Sequence, residues 1–363
     1  MKILSIVGAR PQFIKAAPVS RVLRERHREV LVHTGQHYDA GMSAVFFEEL
    51  AIPAPDVNLN IGSGSHGQQT GRMLMAIEEV MLAEKPDWVL VYGDTNSTLA
   101  GALAAVKLCL PVAHVEAGLR SFNRSMPEEH NRVLTDHCAD LLFCPTQTAV
   151  DLLAREGLTR GVHRVGDVMV DALWGHAELA RERSTILHAM HLTPKGYLLA
   201  TVHRPYNTDV PENLRNILDA FADICRLSGQ PLVLPLHPRT RKVLDELDLR
   251  PPAAVRVIDP VGYLDMLALE QSARLILTDS GGIQKEAYCL AVPCITLRPE
   301  TEWIETVETG WNVVVHADRM AIVRAAVERS WPSTEPPPVF GDGHAAERIV
   351  ALLETSHDRS EFH

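Results

Sequence analysis

Residues 275–288, LILTDSGGIQKEAY, carry the strand–turn–helix pattern that decides the fold. The apolar run at 275–277 is long enough only for a short buried strand. The letters DSGG at 279–282 interrupt this run, and apolar residues return at helical spacing from Ile283. The pattern therefore predicts a parallel strand whose chain turns sharply into a helix.

Two interpretations fit this motif taken alone. A helix start offers unpaired N–H groups and the positive end of the helix dipole, which suits a phosphate. Ser280 would add a hydroxyl, and Glu286, one turn into the helix, could reach a ribose. The other interpretation is a tight turn that binds no ligand, and the remaining sequence has to decide between them.

Size and charge narrow the class of protein. A chain of 363 residues exceeds the usual domain size and predicts two domains. A net charge of −11 argues against nucleic-acid and anionic-membrane partners. The six cysteines show neither a C-x-x-C pair nor zinc spacing, so we expect reduced core residues and no metal. With no signal sequence or membrane span predicted, the expected location is cytoplasmic.

Short apolar strands alternate with helix-length segments along the whole chain, which is typical of parallel sheets. We therefore predict an α/β fold of two Rossmann-like, doubly wound domains that face each other across a cleft. Residues 1–170 form the first domain, residues 190–343 form the second, and a helix at 344–358 packs back on the first. Predicted strands in the first half lie at 3–7, 29–33, 88–91, 111–115, 140–144 and 163–165, with a helix near 43–50. Those in the second half lie at 197–202, 232–236, 255–258, 275–277 and 293–297.

Polar and charged residues recur just after the predicted strands. In open α/β sheets the ligand binds outside the carboxyl ends of the strands, so these residues predict the site. They are Arg10, His37, Asp94, Glu116, His203, His237 and Ser280.

Several of these residues also have a purely structural interpretation. Asp94 could serve only as the N-cap of the helix that follows. Glu128 and Glu129 could be ordinary acids at a helix start, with at most one of them facing the cleft. Residues 62–67 match G-x-G-x-x-G, but no buried strand precedes them, so we reject a dinucleotide fingerprint there.

Nine motifs in order along the chain resemble the non-hydrolysing UDP-N-acetylglucosamine 2-epimerase family. They are GARPQFIK, YGDTNST, HVEAGLRS, MPEEHNR, TVHR, LHPRTR, DPVGY, LTDSGGIQKEA and GDGHA. The resemblance implies the glycosyltransferase-B arrangement, a homodimer, no redox cofactor and a UDP-sugar substrate. It also implies that UDP lies on the second domain and that the sugar points to acids of the first.

The resemblance carries over to individual residues. Asp94, Glu116 and Glu128 match the catalytic acids, and His203 matches a catalytic histidine near the diphosphate. The set implied to contact UDP is Arg10, His203, His237, Tyr263, Ser280, Gly281, Gly282 and Glu286. The candidates for contacting the sugar are Gln36, His37, Arg120 and Arg132, and Arg124 and Lys285 are further cations that could meet a sugar carboxylate.

The implied reaction inverts C2 by eliminating UDP to a glycal and adding it back, with carboxylates moving the proton. Segments 32–39, 71–75 and 301–303 look more like the branch that acts on UDP-2,3-diacetamido-2,3-dideoxy-glucuronic acid, a precursor for surface polysaccharide. Trp303 stands where the ordinary branch carries arginine. The alternatives are the ordinary UDP-N-acetylglucosamine enzyme, a hydrolysing epimerase, a retaining glycosyltransferase and a non-catalytic nucleotide-sugar sensor.

Overall fold

The computed structural model describes residues 1–36 and 53–360 and divides the chain into two compact units. Unit 1 comprises Met1–Trp174 together with the returning segment Val339–His363, and unit 2 comprises Gly175–Pro338. The helix predicted at 43–50 lies outside the described residues. No described helix combines the length and the apolar character needed to span a membrane.

Unit 1 contains a seven-stranded, entirely parallel sheet in the order β3-β2-β1-β4-β5-β6-β7. The strands are β1 (Lys2–Val7), β2 (Arg28–His33), β3 (Val57–Asn58), β4 (Trp88–Tyr92), β5 (Val112–Val115), β6 (Leu141–Cys144) and β7 (Val162–Arg164). The described helices are α1 (Arg10–Arg26), α2 (His66–Glu84), α3 (Asn96–Lys107), α4 (Pro127–Cys138), α5 (Gln147–Arg155), α6 (Val168–Arg183), which continues into unit 2, and the terminal α15 (Ala345–Ser360).

Unit 2 repeats this topology with six parallel strands in the order β10-β9-β8-β11-β12-β13. The strands are β8 (Leu198–Thr201), β9 (Leu232–Pro235), β10 (Val255–Ile258), β11 (Leu275–Thr278), β12 (Cys294–Thr296) and β13 (Asn312–Val314). The helices are α7 (Ile186–Ala189), α8 (Pro205–Thr208), α9 (Pro211–Ser228), α10 (Pro238–Glu246), α11 (Tyr263–Ser272), α12 (Gly281–Cys289), α13 (Ile304–Glu308) and α14 (Arg319–Val327).

Helices cover both faces of each sheet, which explains the nearly uninterrupted apolar strands. In unit 1, α2 and α3 pack on one face, while α1 packs on β1 and β2 with α15 beside it. In unit 2, α9 and α14 form one apolar core, and α11 and α12 form a second. The predicted fold class of two Rossmann-like parallel-sheet domains is confirmed.

The sequence missed some local features. Strands β3 and β13 contain two and three residues and carry too short an apolar run to be recognised. The expectation that the cysteines are core residues is wrong for Cys109, which is exposed in a left-handed turn after α3. The left-handed backbone of a residue at a helix end determines where its side chain points. The leucines on either side of Cys109 in the sequence do not reveal this backbone conformation.

Both strand orders follow the doubly wound Rossmann pattern. In this pattern all strands are parallel, and the direction in which successive strands are added to the sheet reverses at the first strand. The reversal lies between β1 and β4 in unit 1 and between β8 and β11 in unit 2. Ligands of open α/β sheets bind beyond the carboxyl ends of the strands at such a point. The loops after these strands therefore carry the candidate site of each unit.

Candidate active site

The loop after β4 presents Asp94 at the switch point of unit 1. The N-cap of α3 is Thr95, whose hydroxyl accepts a hydrogen bond from Thr98 N, so the interpretation of Asp94 as the cap is wrong. Asp94 instead pairs through Oδ2 with Arg132 Nη2 on α4. Its backbone carbonyl accepts a hydrogen bond of 3.0 Å from Asn131 Nδ2. The Asp94 carboxylate therefore does not cap α3, and it lies beside the cation Arg132.

Glu116 follows β5 in a left-handed backbone conformation with φ +73°. Such a conformation costs a non-glycine residue on the order of 1 kcal/mol and persists where surrounding contacts enforce it. Here Glu116 N and Ala117 N both donate to the Phe143 carbonyl, each at 3.1 Å. The turn thereby aims a single carboxylate at the carboxyl edge of the sheet.

Lys15 of α1 forms an ion pair with the Glu116 carboxylate. The Lys15 side chain is 17% exposed and that of Glu116 is 13% exposed, so water screens the pair only partly. A Cβ placed on Gly93 would lie 3.6 Å from Lys15 Nζ and 3.7 Å from Glu116 Oε2. The turn that carries Asp94 therefore lies beside the Glu116–Lys15 pair.

The two neighbouring glutamates at the start of α4 differ in their surroundings. Glu129 accepts hydrogen bonds from Ser121 N, Ser121 Oγ and Phe122 N at 2.8–2.9 Å and pairs with Arg132. Burial raises the pKa of Glu129, but these hydrogen bonds and Arg132 outweigh burial and lower it. Glu128 is half-buried and makes no hydrogen bond or ion pair with the described residues. Of the two acids, Glu128 is the one left available to a ligand.

The sugar-binding candidates of unit 1 differ in whether their side chains already bind other groups of the protein. Arg120 is buried, and its guanidinium binds Asp136 at 2.7 Å and Glu156 at 2.7 and 2.8 Å. Gln36 Oε1 accepts hydrogen bonds from Ser97 N at 3.0 Å and Ser97 Oγ at 2.7 Å. Arg120 and Gln36 are thus engaged within the protein, while Arg132 lies beside Asp94, and their roles toward a sugar stay predictions.

Two further predicted residues cannot be placed in this geometry. His37 lies outside the described residues. Arg10 begins α1, but its side chain is not among the parts of the chain that the structure describes. Their predicted contacts with sugar and UDP stay predictions.

In unit 2, Asp279 ties the loop after β8 to the end of β11. The Asp279 carboxylate is fully buried and accepts hydrogen bonds from His203 N, Arg204 N and Asn207 Nδ2 at 3.0–3.1 Å. Its Oδ1 also lies 3.2 Å from His203 Nδ1. Asp279 therefore sets the position of both the His203 backbone and the His203 ring.

His203 and His237 lie together at this edge, with ring centroids 5.7 Å apart. Burial lowers the pKa of His203, Arg204 and His237 lower it further, and the Asp279 carboxylate opposes them. His203 is consequently neutral near pH 7 in the unliganded protein, and an incoming diphosphate would favour its protonation.

The glycine turn after β11 has the backbone that a phosphate requires. Ser280 is the N-cap of α12, and Gly281 and Gly282 are its first two residues. Trp303 Nε1 donates to the Gly281 carbonyl at 2.8 Å and fixes the turn from behind. Gly282 is exposed, and a Cβ there would meet only Ser280 Oγ, at 3.8 Å. The outer side of the helix start is therefore open to a ligand.

The next turn of α12 presents Glu286, which accepts a hydrogen bond of 3.3 Å from Tyr263 Oη at the start of α11. Burial raises the pKa of Glu286, while Tyr263 and Lys285 oppose the shift. Glu270 is buried with Oε2 unpaired among the described residues, and burial together with Glu286 raises its pKa well above the usual range. Glu270 is therefore a neutral acid, and Glu286 is the carboxyl group of this pair that can accept ribose hydroxyls.

The structure thus brings the predicted residues together in two groups. The unit 1 group contains Asp94, Glu116, Glu128 and Arg132, and the unit 2 group contains His203, His237, Tyr263, Ser280, Gly281, Gly282 and Glu286. Sequence reasoning missed the roles of Lys15 and Asp279. The available signal for Lys15 was a lysine within the apolar stretch at 13–19 of α1. No group of three or more histidine, cysteine or acidic side chains in the described ranges is arranged to hold a metal ion.

Comparison with known proteins identifies the family of this chain. The family model described as UDP-N-acetylglucosamine 2-epimerase matches residues 21–354. The UDP-2,3-diacetamido-2,3-dideoxy-D-glucuronate 2-epimerase of Pseudomonas aeruginosa is 53% identical, over 97% of this chain and 99% of its own.

Solved structures give the same result. UDP-GlcNAc 2-epimerase from Methanocaldococcus jannaschii superimposes with a TM-score of 0.88 at 45% identity, covering 98% of this chain and all of that one. A structure of the M. jannaschii enzyme in complex with UDP-GlcNAc and UDP gives a TM-score of 0.79 at 46% identity, with the same coverage. The protein is therefore an epimerase, and it belongs to the UDP-N-acetylglucosamine 2-epimerase family.

Proposed function

We propose that this enzyme inverts C2 of a UDP-2-acetamido sugar, and that its substrate is UDP-2,3-diacetamido-2,3-dideoxy-glucuronate, converted to the manno epimer for surface polysaccharide. The observation that carries the proposal is the pair of carboxylates after β4 and β5, Asp94 and Glu116, each beside its own cation. Two acids at one sheet edge suit a reaction that removes a proton from one face of a carbon and returns it to the other.

The C2 hydrogen of such a sugar is not adjacent to a carbonyl, so a base alone cannot remove it. In the proposed reaction the bond from C1 to the UDP oxygen breaks and its electron pair leaves with UDP. A carboxylate of unit 1 takes the C2 proton, and C1 and C2 become an alkene. Proton return to the opposite face of C2 and re-addition of UDP to C1 complete the inversion.

We assign the binding of the departing UDP to residues of unit 2. The N–H groups that open α12 and the Ser280 hydroxyl suit the diphosphate, and Glu286 suits the ribose. His203, neutral when the site is empty, can hold a proton against the negative charge that grows on the leaving group. We expect His237 and Arg10 beside the diphosphate and Tyr263 near the uracil.

The choice of substrate rests on the resemblance of particular segments and on one contact. Trp303 packs against the phosphate turn through Gly281, and Lys285 Nζ lies 4.5 Å from the centroid of the Trp303 ring. Lys285 is therefore a buried cation close to the proposed diphosphate site, and its charge would help to balance a substrate with an additional carboxylate. UDP-N-acetylglucosamine is the alternative substrate, because the related M. jannaschii enzyme carries that name. We also propose a cytoplasmic homodimer.

The test is proton NMR in deuterated water with both UDP-sugars offered in parallel. Deuterium entering C2 of the diacetamido-glucuronate alone, with a gluco and manno mixture and little free sugar, would support the proposed substrate. Exchange in UDP-N-acetylglucosamine alone would move the enzyme to the ordinary branch. Release of free sugar would indicate the hydrolysing reaction, and no exchange in either sugar would contradict the proposal and leave a transferase or a sensor.

A further inference from the structure

Behind the proposed acids of unit 1 lies a cluster of buried charges that the reaction scheme does not use. We call it the Asp136 network, and it consists of His114, Asp136, Arg120 and Glu156. The side chains of His114 and Asp136 have no exposed surface. A buried charge is costly unless it is paired and hydrogen-bonded, so such a network calls for an explanation.

The hydrogen bonds of His114 join it to two acceptors. Nε2 lies 2.7 Å from the Gly93 carbonyl oxygen, which can only accept, so Nε2 must carry a hydrogen. Nδ1 lies 2.7 Å from Asp136 Oδ1. Burial raises the pKa of Asp136, but the hydrogen bonds and charges of His114 and Arg120 outweigh burial and lower it. Asp136 is thus a carboxylate, and His114 links it to the Gly93 carbonyl.

The remaining partners extend the network. Arg120 Nη1 binds Asp136 Oδ2 at 2.7 Å, and Glu156 binds the other side of the same guanidinium. A continuous series of paired polar groups therefore runs from Gly93 to Glu156. The neighbouring Cys144 stays a neutral thiol, because burial, together with Asp136, raises its pKa to about 12.

The network holds both turns that carry the acids. His114 fixes the carbonyl of Gly93, the residue before Asp94. Asp136 Oδ2 accepts from Gly118 N at 3.1 Å, two residues after Glu116. One carboxylate therefore sets the turn after β4 through a histidine and the left-handed turn after β5 directly.

We propose that Asp136 and His114 are positioning residues of the epimerase, which hold the Asp94 and Glu116 turns at a fixed separation. The inference rests on the proposed function of those acids. Proton transfer requires reacting groups in near-attack geometry, and a displacement of about 1 Å can cost on the order of 100-fold in rate. Neither side chain touches the substrate in this scheme.

The decisive variant is Asp136→Asn, which keeps the side-chain shape and removes the charged acceptor that faces His114 and Arg120. Asp140→Asn is the matched control, because Asp140 Oδ2 accepts from Val112 N at 2.9 Å at the opposite end of β5. We expect kcat for C2 exchange to fall about 100-fold in Asp136→Asn, with KM and the Kd for UDP within about twofold of wild type. Asp140→Asn changes an exposed carboxylate that contacts the same strand, and it should keep kcat within about twofold.

Asp136→Asn turnover equal to that of Asp140→Asn would overturn the proposal, and so would a fall in kcat matched by an equal loss of UDP binding. If Asp136→Asn does not fold, His114→Gln with the same measurements takes its place. A second readout does not depend on activity. In protein with 15N-labelled histidine, assigned by comparison with His114→Gln, the His114 signal should show a hydrogen on Nε2, the nitrogen that faces the Gly93 carbonyl.

A wild-type His114 without a hydrogen on Nε2 would overturn the inference even if the enzyme is an active epimerase. Conversely, a wild type that exchanges no C2 proton would refute the proposed function, while the nitrogen spectrum would still test the hydrogen bond on which the inference depends.

Discussion

The two units share one strand order, and in each a fully buried aspartate organises the switch point, but the two aspartates serve different chemistries. Asp136 of unit 1 comes from a helix and holds the two turns that carry Asp94 and Glu116. Asp279 of unit 2 ends a strand and holds backbone N–H groups and a histidine. One sheet edge therefore presents acids and the other presents donors. The comparison teaches that the fold determines where the candidate site of each unit lies. The buried side chains behind the loops determine whether that site presents acids or hydrogen-bond donors.

The largest expected effect comes from removing an acid of unit 1. Glu116→Gln keeps the size of the side chain but loses both the proton acceptor and the ion pair with Lys15. We expect C2 exchange to fall about 10³-fold, because general acid–base groups contribute on this scale. The Kd for UDP, assigned to unit 2, should stay within about twofold when measured by calorimetry.

Glu79→Gln on α2 is the matched control, because Glu79 is an exposed glutamate of the same unit. Full turnover by Glu116→Gln with intact UDP binding would break the assignment of proton transfer to unit 1.

A smaller effect sharpens the assignment of unit 2. Gly282→Ala places a methyl group on the open side of the α12 start, where the free protein offers no clash. The substitution should raise stability by about 0.5 kcal/mol, because alanine favours the helix. UDP affinity should nevertheless fall about tenfold, because the methyl group keeps a phosphate away from the N–H groups.

Gly67 is the second residue of α2 in unit 1, as Gly282 is of α12, and a Cβ on Gly67 would meet nothing within 4 Å. Gly67→Ala should give the gain in stability without the loss of UDP affinity. Equal UDP affinity in the two variants would show that the α12 start is not the phosphate site.

The smallest expected effect is a proton taken up with UDP. The pKa of His203 is lowered in the free protein, and a diphosphate raises it again. Binding should therefore take up a fraction of a proton, on the order of 0.5, at a pH between the free and bound pKa values. The sign follows directly: UDP should bind more tightly as the pH falls through this interval.

Calorimetry near pH 6.5 in two buffers of different ionisation enthalpy measures this uptake. It should disappear in His203→Asn and persist in His188→Asn, an exposed histidine of the same unit. Unchanged uptake in His203→Asn would remove His203 from the diphosphate site.

The sequence was sufficient for every strand except β3 and β13 and for the residues that follow the predicted strands, because both depend on patterns local to the chain. It also placed Ser280 and the two glycines at a helix start. It could not reveal the Lys15–Glu116 pair, whose members are 101 residues apart, since such a contact depends on how α1 packs beside β4 and β5. Asp136 and Asp279 were missed for the same reason. Each is important because it binds loops that are distant in sequence, and a single aspartate in a motif does not reveal those partners.

The terminal helix has a consequence for how the protein is made. α15 buries Ile349 and Leu353 in unit 1, and Glu354 meets His27 at 2.8 Å. During synthesis, all of residues 175–338 must leave the ribosome before this helix can dock. At ordinary translation rates unit 1 waits on the order of ten seconds or more with that part of its core uncovered. Unit 2, which is continuous in sequence, can finish folding first although it begins later.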